Sequence, residues 1–384
     1  MTENQLLNQH ISHKENSLFG RYITNGMIAP ILDRLGDDFV VSTIGKSVEE
    51  RPIYSVKIGT GKLKVLLWSQ MHGNESTTTK AIFDVFNTVK AEKSIYKGIL
   101  EQCTLLFVPI LSPDGAERYT RLNANLEDLN RDAQALTQPE SRVLKSCFES
   151  FKPDFCFNLH GQRTIFGAGQ LGNSATLSFL SPAEDEIRSI TDTRKKAMSI
   201  IAYINKHLQN DLENGIGRYD DGFNINCVGD TFQSLGVPTV LFEAGHYLND
   251  YNREQTRLYI YKSLYHALSY ISNGVEVNDH VPYFDIPENE KNFYDVIIRN
   301  AITGLENGPV DIAIQFSEVL ISNTIEFIPK VEKIENLDSY FGHKEINADG
   351  NSVLDQNGNP LSIGSEIVFV MLNNSKISIK PLKT

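Results

Sequence analysis

Residues 65–80 read VLLWSQMHGNESTTTK, an apolar run that turns into a polar, threonine-rich segment. Short apolar or β-branched runs of this kind alternate with longer amphipathic segments from about residue 40 to residue 275. Such alternation is typical of strands joined by crossover helices. It predicts an α/β fold with a mixed, mostly parallel central sheet flanked by helices.

The clearest predicted strands are mostly apolar throughout, as strands covered on both faces should be. They are residues 53–58, 65–69, 105–109, 155–159 and 239–242. The clearest predicted helices have apolar residues at intervals of three and four. They are residues 77–90, a segment that begins at Pro139, residues 185–212 and residues 252–272. These helices are expected to cover the sheet.

The sequence pattern changes near residue 280, where a polar, proline-containing connector begins. Short alternating runs follow at residues 310–316, 325–328, 367–372 and 377–380. They are separated by Asp/Asn/Gly segments, which are typical of hairpin turns and lack the spacing of a calcium-binding loop. We therefore predict a catalytic domain over residues 1–280 and a small β-rich C-terminal domain over residues 281–384.

Composition and charge exclude several classes of protein. Of the 384 residues, 41% are hydrophobic and 22% are charged, which is close to globular averages. The formal net charge of −12 repels phosphate groups, so neither a nucleic acid nor a membrane is an expected partner. The first residues lack the basic start and apolar core of a secretory signal, which predicts a cytoplasmic protein. The oligomeric state has no signature in the sequence.

Potential metal ligands follow two of the predicted strands. His72 and Glu75 come after residues 65–69, and His160 ends the run at residues 155–159. Taken singly, the first two also fit a surface pair, and His160 also fits a hydrogen-bonded core imidazole. Ligands bind beyond the carboxyl ends of the strands in open α/β sheets, so we expect the three side chains to converge. Two imidazoles and one carboxylate form the ligand set of a catalytic zinc, with one position left for water or substrate.

A third predicted strand also ends in a polar side chain, that of Glu243. A carboxylate is costly to bury, so its position at the end of an apolar run calls for a reason. Near an open zinc site it could take a proton from water and pass it to a leaving amine, which typically accelerates a reaction ~10²–10⁴-fold. Glu243 is therefore the predicted general base, and a salt-bridged strand end is the alternative.

The loop at residues 112–132 is unusually rich in polar side chains. It begins with Ser-Pro-Asp-Gly and contains Asp-Leu-Asn-Arg at residues 128–131. With His-Gly-Asn-Glu at residues 72–75 and the later strand that ends in glutamate, these motifs resemble the zinc metallocarboxypeptidase family, the family of carboxypeptidase A. Residues 44–47 and 51–54 are also similar to the segment that opens its catalytic domain. The resemblance covers about residues 40–270, and the motifs occur in the family's order.

The resemblance implies a role for each matching residue. It places Zn²⁺ on the three ligands predicted above, His72, Glu75 and His160. Arg121 would polarise the scissile carbonyl group. Asn130 and Arg131 would bind the terminal carboxylate of the substrate, and Asp128 would orient the first zinc histidine.

The family also supplies a tyrosine from a mobile loop, some twenty residues before its catalytic glutamate. Tyr219, 24 residues before Glu243, is the candidate, and Tyr247 competes for the same role. Arg163, close to His160 in the sequence, could select an acidic side chain of the substrate or form a structural salt bridge. The side-chain preference of the substrate therefore stays open.

The family resemblance implies a zinc-dependent metallocarboxypeptidase that hydrolyses C-terminal peptide bonds. The same motifs also resemble deacylases that cleave N-acyl amino acids, such as aspartoacylase and succinylglutamate desuccinylase. A third alternative is a peptide-binding protein that has kept the fold and lost turnover. The expected partner is accordingly a peptide or an acyl amino acid substrate.

Overall fold

The computed structural model describes residues 1–303 and 308–381. The α-helices in these ranges are α1 Glu3–His13, α2 Asn25–Leu32, α3 Thr77–Ala91, α4 Lys93–Gln102, α5 Pro113–Arg118, α6 Pro139–Phe151, α7 Asp192–Leu208, α8 Val228–Ser234 and α9 Glu254–Asn273. The strands of the first two thirds are β1 Val40–Lys46, β2 Pro52–Ile58, β3 Leu63–Ser69, β4 Cys103–Val108, β5 Phe155–Gly161, β6 Gly167–Ala168, β7 Leu177–Leu180, β8 Ile216–Arg218 and β9 Thr239–Ala244. The strands of the last third are β10 Asn289–Glu290, β11 Phe293–Ala301, β12 Val310–Ile321, β13 Thr324–Glu335, β14 Phe341–Asn347, β15 Val353–Leu354, β16 Phe369–Leu372 and β17 Ser375–Ser378.

The largest sheet has eight strands in the order β1-β2-β4-β3-β5-β9-β7-β8. Its centre is parallel, because β3 pairs in parallel with both β4 and β5, and β5 pairs in parallel with β9. The pairs β1–β2, β2–β4 and β7–β9 are antiparallel. This is the predicted mixed, mostly parallel sheet, and the α/β fold is confirmed.

Helices cover both faces of this sheet because successive side chains of a strand point to opposite faces. On β3, Val65 and Leu67 belong to the hydrophobic cluster that includes α3, α4, α7 and α9. Leu66 and Trp68 belong to the cluster on the other face, which includes α6 and α8. The fully buried Trp68 ring meets Phe232 of α8 edge-on, with centroids 5.5 Å apart.

The last third of the chain is β-rich, as expected. It forms a four-stranded sheet in the order β13-β12-β11-β14 and a three-stranded sheet in the order β15-β16-β17, and the two share a hydrophobic cluster. This part contacts the large sheet's loops: β10 pairs with β6, and Gln315 donates to the Thr164 hydroxyl over 2.7 Å. Tyr283 and Ile286 pack in the main cluster of the large domain, and the separate cluster begins at Val296 of β11. The division into residues 1–280 and 281–384 stays a proposal.

The structure differs from the sequence prediction mainly at helix ends and sheet edges. Helix α7 begins at Asp192 instead of residue 185, because Asp185 accepts from the Ser189 amide in a turn and Thr191 caps the helix by accepting from the Arg194 amide. The edge strands β1 and β8, and strand β7, have no counterpart among the predicted strands. Across residues 1–303 and 308–381, no helix is both long and apolar enough to cross a lipid bilayer.

Candidate metal centre and active site

Three neighbouring strands bring polar side chains to one edge of the large sheet. Strand β3 leads through a short turn to His72 and Glu75, while His160 lies within the end of β5 and Glu243 within the end of β9. In the β5–β9 pair, His160 and Glu243 are register partners. The predicted convergence at the carboxyl ends of the strands is therefore present.

His72, Glu75 and His160 form a compact set of potential ligands. The Nδ1 atoms of the two histidines lie 3.2 Å apart. Each is 2.9 Å from a different Glu75 oxygen, Oε1 for His72 and Oε2 for His160. In a tetrahedral site with Zn–N distances of ~2.0–2.1 Å, two nitrogens are about 3.3 Å apart. The donor types and their spacing thus fit a zinc ion.

The surroundings of these ligands orient them toward a common point. The Asp128 Oδ1 atom is 3.1 Å from Nε2 of His72, so Nε2 carries the proton and Nδ1 is left to bind a metal. The Gly161 amide donates to Glu75 Oε2 over 3.0 Å. Burial would raise the pKa of Glu75, but the hydrogen bonds and charges of the two histidines lower it, so the carboxyl group is ionised.

Arg121 lies next to the set of candidate ligands. Its Nη1 atom is 3.2 Å from His72 Nδ1 and 3.5 Å from Glu75 Oε1. Its Nε and Nη2 atoms donate to Asp128 Oδ2 over 3.1 and 3.0 Å. Burial would raise the pKa of Asp128, but hydrogen bonds and charge from His72 and the charge of Arg121 lower it. The guanidinium group is thus held beside two of the three candidate ligands.

Glu243 is partly buried, and its Oε2 atom has no hydrogen-bond partner in the described part of the chain. Burial and the negative charge of Glu75 raise the pKa of Glu243 well above its ordinary value. A raised carboxyl pKa beside a metal-binding set is typical of a group that exchanges protons.

The two candidate tyrosines lie in different surroundings. Burial, followed by the negative charges of Glu243 and Glu75, raises the pKa of Tyr219. The Tyr219 ring packs on Phe166, with centroids 5.5 Å apart. Tyr247 instead packs on Tyr259 of α9 and contacts the main hydrophobic cluster. Tyr247 thus packs in the main core, and Tyr219 stays the candidate.

Asn130 and Arg131 lie on a short 3₁₀ segment directly after Asp128. The Asn130 Oδ1 atom accepts from the Val228 amide at the start of α8 over 3.0 Å. The exposed Arg131 guanidinium donates to the Asn130 carbonyl oxygen and to Cys227 Sγ, over 2.7 and 3.2 Å. Among residues 1–303 and 308–381, no carboxylate forms an ion pair with Arg131 or with the exposed Arg163.

A second group with metal-binding residue types lies elsewhere, formed by Glu3, His207 and His266. The two imidazole rings are stacked, with centroids 4.4 Å apart and an angle of only 10° between their planes. A metal ion lies in the plane of a ligating imidazole, so parallel rings cannot share one. The Lys262 ammonium group also lies 3.3 Å from Glu3. This group is therefore not a preformed metal site.

Arg253, which the sequence prediction missed, forms hydrogen bonds at the ends of strands β5 and β9. This buried residue donates from Nη1 to the carbonyl oxygens of Ala244, over 2.7 Å, and Gly245, and from Nη2 to that of Gln162, over 3.0 Å. These carbonyl groups follow Glu243 and His160 in the chain. Only the tertiary fold brings Arg253 to them, so its position in the sequence carries no signal.

Comparison with known proteins agrees with the fold. Residues 32–221 match the family described as zinc carboxypeptidase. A probable carboxypeptidase 2 of Arthroderma benhamiae is 29% identical over 99 residues, which make up 26% of this chain and 19% of that protein. Carboxypeptidase A2 of Mus musculus is 24% identical over 226 residues, 55% of this chain and 50% of that protein. The matches thus span from about a fifth to a half of the length of these relatives.

Solved structures share the fold at low sequence identity. A metallo-carboxypeptidase from Burkholderia cenocepacia has a TM-score of 0.54 and 19% identity, over 65% of this chain and 70% of that chain. Carboxypeptidase A from Helicoverpa armigera has a TM-score of 0.53 and 16% identity, over 71% and 80% of the two chains. These structures show that the chain has the fold of these carboxypeptidases. Residues 32–221 of this chain thus belong to the zinc carboxypeptidase family, whose metal is Zn²⁺.

Proposed function

We propose that the protein is a zinc-dependent carboxypeptidase that hydrolyses the last peptide bond of its substrates. The observation that carries the proposal is the convergence of His72, Glu75 and His160, whose facing atoms lie 2.9 to 3.2 Å apart. Glu243 lies beside this set, in register with His160 on the neighbouring strand. A metal-binding set and a free carboxyl group at the same sheet edge are what metal-assisted hydrolysis requires.

When bound, Zn²⁺ supplies a Lewis acid that polarises water and the carbonyl group, and its charge opposes the effect of Glu75 on the pKa of Glu243. Glu243 accepts a proton from the attacking water through its Oε2 atom, which has no hydrogen-bond partner among the described residues. It then donates this proton to the leaving amine as the C–N bond breaks. Arg121 stabilises the negative charge that develops on the carbonyl oxygen.

The substrate's free C-terminus is bound by Asn130 and Arg131. A guanidinium group has the planar fork that matches a carboxylate, and Arg131 has no carboxylate partner within the part of the chain that the structure describes. Tyr219 closes the site with its phenol, whose pKa is raised by burial and by the charge of Glu243. Asp128 keeps the His72 imidazole in the tautomer that leaves Nδ1 free for the metal.

The test is to measure bound zinc and peptide hydrolysis in the wild type and in Glu243→Gln. We expect one zinc per chain in both proteins, and a rate that falls ~10²–10⁴-fold in the variant, because the proton acceptor is lost. Blocked dipeptides with a free C-terminus are the substrates, and N-acetyl and N-succinyl amino acids are tested beside them.

The matched control is Glu101→Gln, at the end of α4, next to the opposite end of the sheet's strands. This variant should hydrolyse peptides at the wild-type rate. A wild type that binds no zinc, or that cleaves acyl amino acids and no peptide, would contradict the proposal.

A further inference from the structure

One carboxylate of the C-terminal sheet reaches the residues that support the candidate site. Glu318, on β12, accepts a hydrogen bond from the Tyr119 hydroxyl. It also forms an ion pair with Arg21, whose Nη2 atom lies 3.1 Å from the carboxylate. The Glu318 side chain is 25% exposed, and that of Arg21 is 10% exposed. Glu318 thus joins two segments of the large domain that are far apart in the sequence.

Each of these two segments lies next to a candidate site residue, the first through a hydrogen bond and the second along the chain. The backbone carbonyl oxygen of Arg21 accepts from the Ser76 hydroxyl, directly after Glu75. Tyr119 ends α5 with a left-handed backbone, φ 55°, two residues before Arg121. Holding Arg21 and Tyr119 therefore fixes the chain beside a proposed metal ligand and beside the proposed carbonyl-polarising arginine.

Arg253 donates to the carbonyl oxygens at the strand ends, and the charges of the same cluster act on it. Burial and the charge of Arg21 lower the pKa of Arg253 to about 10, and the charge of Glu318 is the largest effect that opposes them. The other nearby carboxylate, Asp250, accepts from the amides of Glu254, Gln255 and Thr256 at the start of α9. Glu318 is the carboxylate that both contacts Arg21 directly and offsets the charge of Arg253.

We propose that Glu318 is a positioning residue of the active site. The Glu318 carboxylate binds the partly buried Arg21 and the Tyr119 phenol directly, and through them holds the chain segments that carry Glu75 and Arg121. Its charge also acts on Arg253, the buried arginine that donates to the strand end after Glu243. The C-terminal sheet thus takes part in the reaction without touching the substrate. This inference rests on the proposed carboxypeptidase function.

The first test compares the wild type with Glu318→Gln, which keeps the size of the side chain and removes its charge. We expect kcat to fall roughly 10- to 100-fold, because displacing reacting groups by about 1 Å costs on the order of 10²-fold. KM should change less than about 3-fold on the same basis, since the proposed carboxylate-binding Asn130 and Arg131 lie outside this cluster. Zinc content should stay at one per chain. The matched control is Glu332→Gln, an exposed carboxylate on β13, which should leave kcat unchanged.

The second test does not depend on activity. Hydrogen exchange of backbone amides should become faster in Glu318→Gln at residues 116–121 and 244–247, and stay the same at residues 53–58 of the distant strand β2. Tyr119→Phe removes only the phenol hydroxyl and should change kcat and exchange in the same direction, to a smaller extent. If Glu318→Gln did not fold, this second variant would decide.

Unchanged kcat in both variants would overturn the inference, whatever the exchange rates, because the carboxylate would then be only structural. Unchanged exchange would also overturn it. A wild type that hydrolyses no peptide would instead contradict the proposed function, and the exchange of residues 116–121 and 244–247 would still decide whether Glu318 holds these segments.

Discussion

Arg131 is an exposed guanidinium group that has no ion pair among residues 1–303 and 308–381, in a chain with a formal net charge of −12. If it binds the substrate's terminal carboxylate, Arg131→Met should raise KM roughly 10- to 100-fold, since a charge-assisted hydrogen bond contributes ~1.5–3 kcal/mol. Steady-state kinetics on a blocked dipeptide measure this. Arg142→Met is the control, because Arg142 donates to backbone carbonyl groups on α6's own N-terminal side. Equal KM values in both variants would exclude this role.

Asp128 contacts a proposed ligand without being one. In Asp128→Asn, the acceptor that fixes the His72 tautomer is weakened, so the zinc dissociation constant should rise ~10- to 100-fold. Competition with a chromogenic chelator gives this constant directly. An unchanged constant would mean that the imidazole is oriented by other contacts.

The candidate ligands could be predicted because the ends of apolar strands can be recognised in the sequence. His160 and Glu243 each end an apolar run, and parallel strands place their carboxyl ends at the same edge. Glu318 and Arg253 could not be predicted in this way. Glu318 is 199 residues from Tyr119 in the chain, and only the docking of the C-terminal sheet brings the two together.

At the scale of elements, the turn between β3 and α3 touches the start of α5. A Cβ atom on Gly73 would lie 1.8 Å from the Gly115 carbonyl carbon and 2.1 Å from the Ala116 nitrogen. Because both are backbone atoms, Gly73→Ala must shift the turn that carries His72 and Glu75. We expect a loss of ~1–3 kcal/mol in the free energy of unfolding, together with less than one zinc per chain.

The matched control is Gly98→Ala, within α4. A Cβ atom at Gly98 meets nothing within 4 Å, so this change should be neutral or stabilise the protein by roughly 0.5–1 kcal/mol. Urea unfolding followed by circular dichroism, with zinc analysis, compares the two variants. Equal stability and equal zinc content would show that the β3–α3 turn tolerates the displacement.

Central elements were easier to predict than edge elements, for a physical reason. Strands β3 and β5 are buried on both faces, so their sequences are apolar and easy to recognise. Edge strand β1 has an exposed-to-intermediate pattern over its whole length and gives no such signal. The early start predicted for α7 failed because the turn formed by Asp185 and Ser189 lies within a helix-like pattern.

At the scale of the whole molecule, the buried His246 and the partly buried His343 lie where the C-terminal sheet meets the loops of the large sheet. The His343 Nε2 atom is 2.7 Å from the Thr164 carbonyl oxygen, and its ring packs on Phe293 and His246. Burial lowers the pKa of His343 to about 4. The unfolded chain, with an ordinary histidine pKa of ~6.5, therefore binds the proton more tightly than the folded one.

His343 therefore lowers the free energy of unfolding as the pH falls from ~6.5 toward 4, by up to about 3 kcal/mol. It has no such effect above pH ~7. His343→Gln keeps a donor for Thr164 and cannot be protonated in this range. The difference in unfolding free energy between wild type and variant should thus change with pH, with the wild type losing more at acidic pH. Parallel pH profiles from urea unfolding would rule out this contribution.

Trp68 is the only tryptophan of the chain, and it lies fully buried on β3, four residues before His72. All indole fluorescence of the unlabelled protein therefore arises from one point beneath the candidate site. An emission change on adding zinc would report on the strand that leads to the ligands. Detachment of the C-terminal sheets, which contain no indole, would be recorded only through a tyrosine signal or an introduced fluorophore.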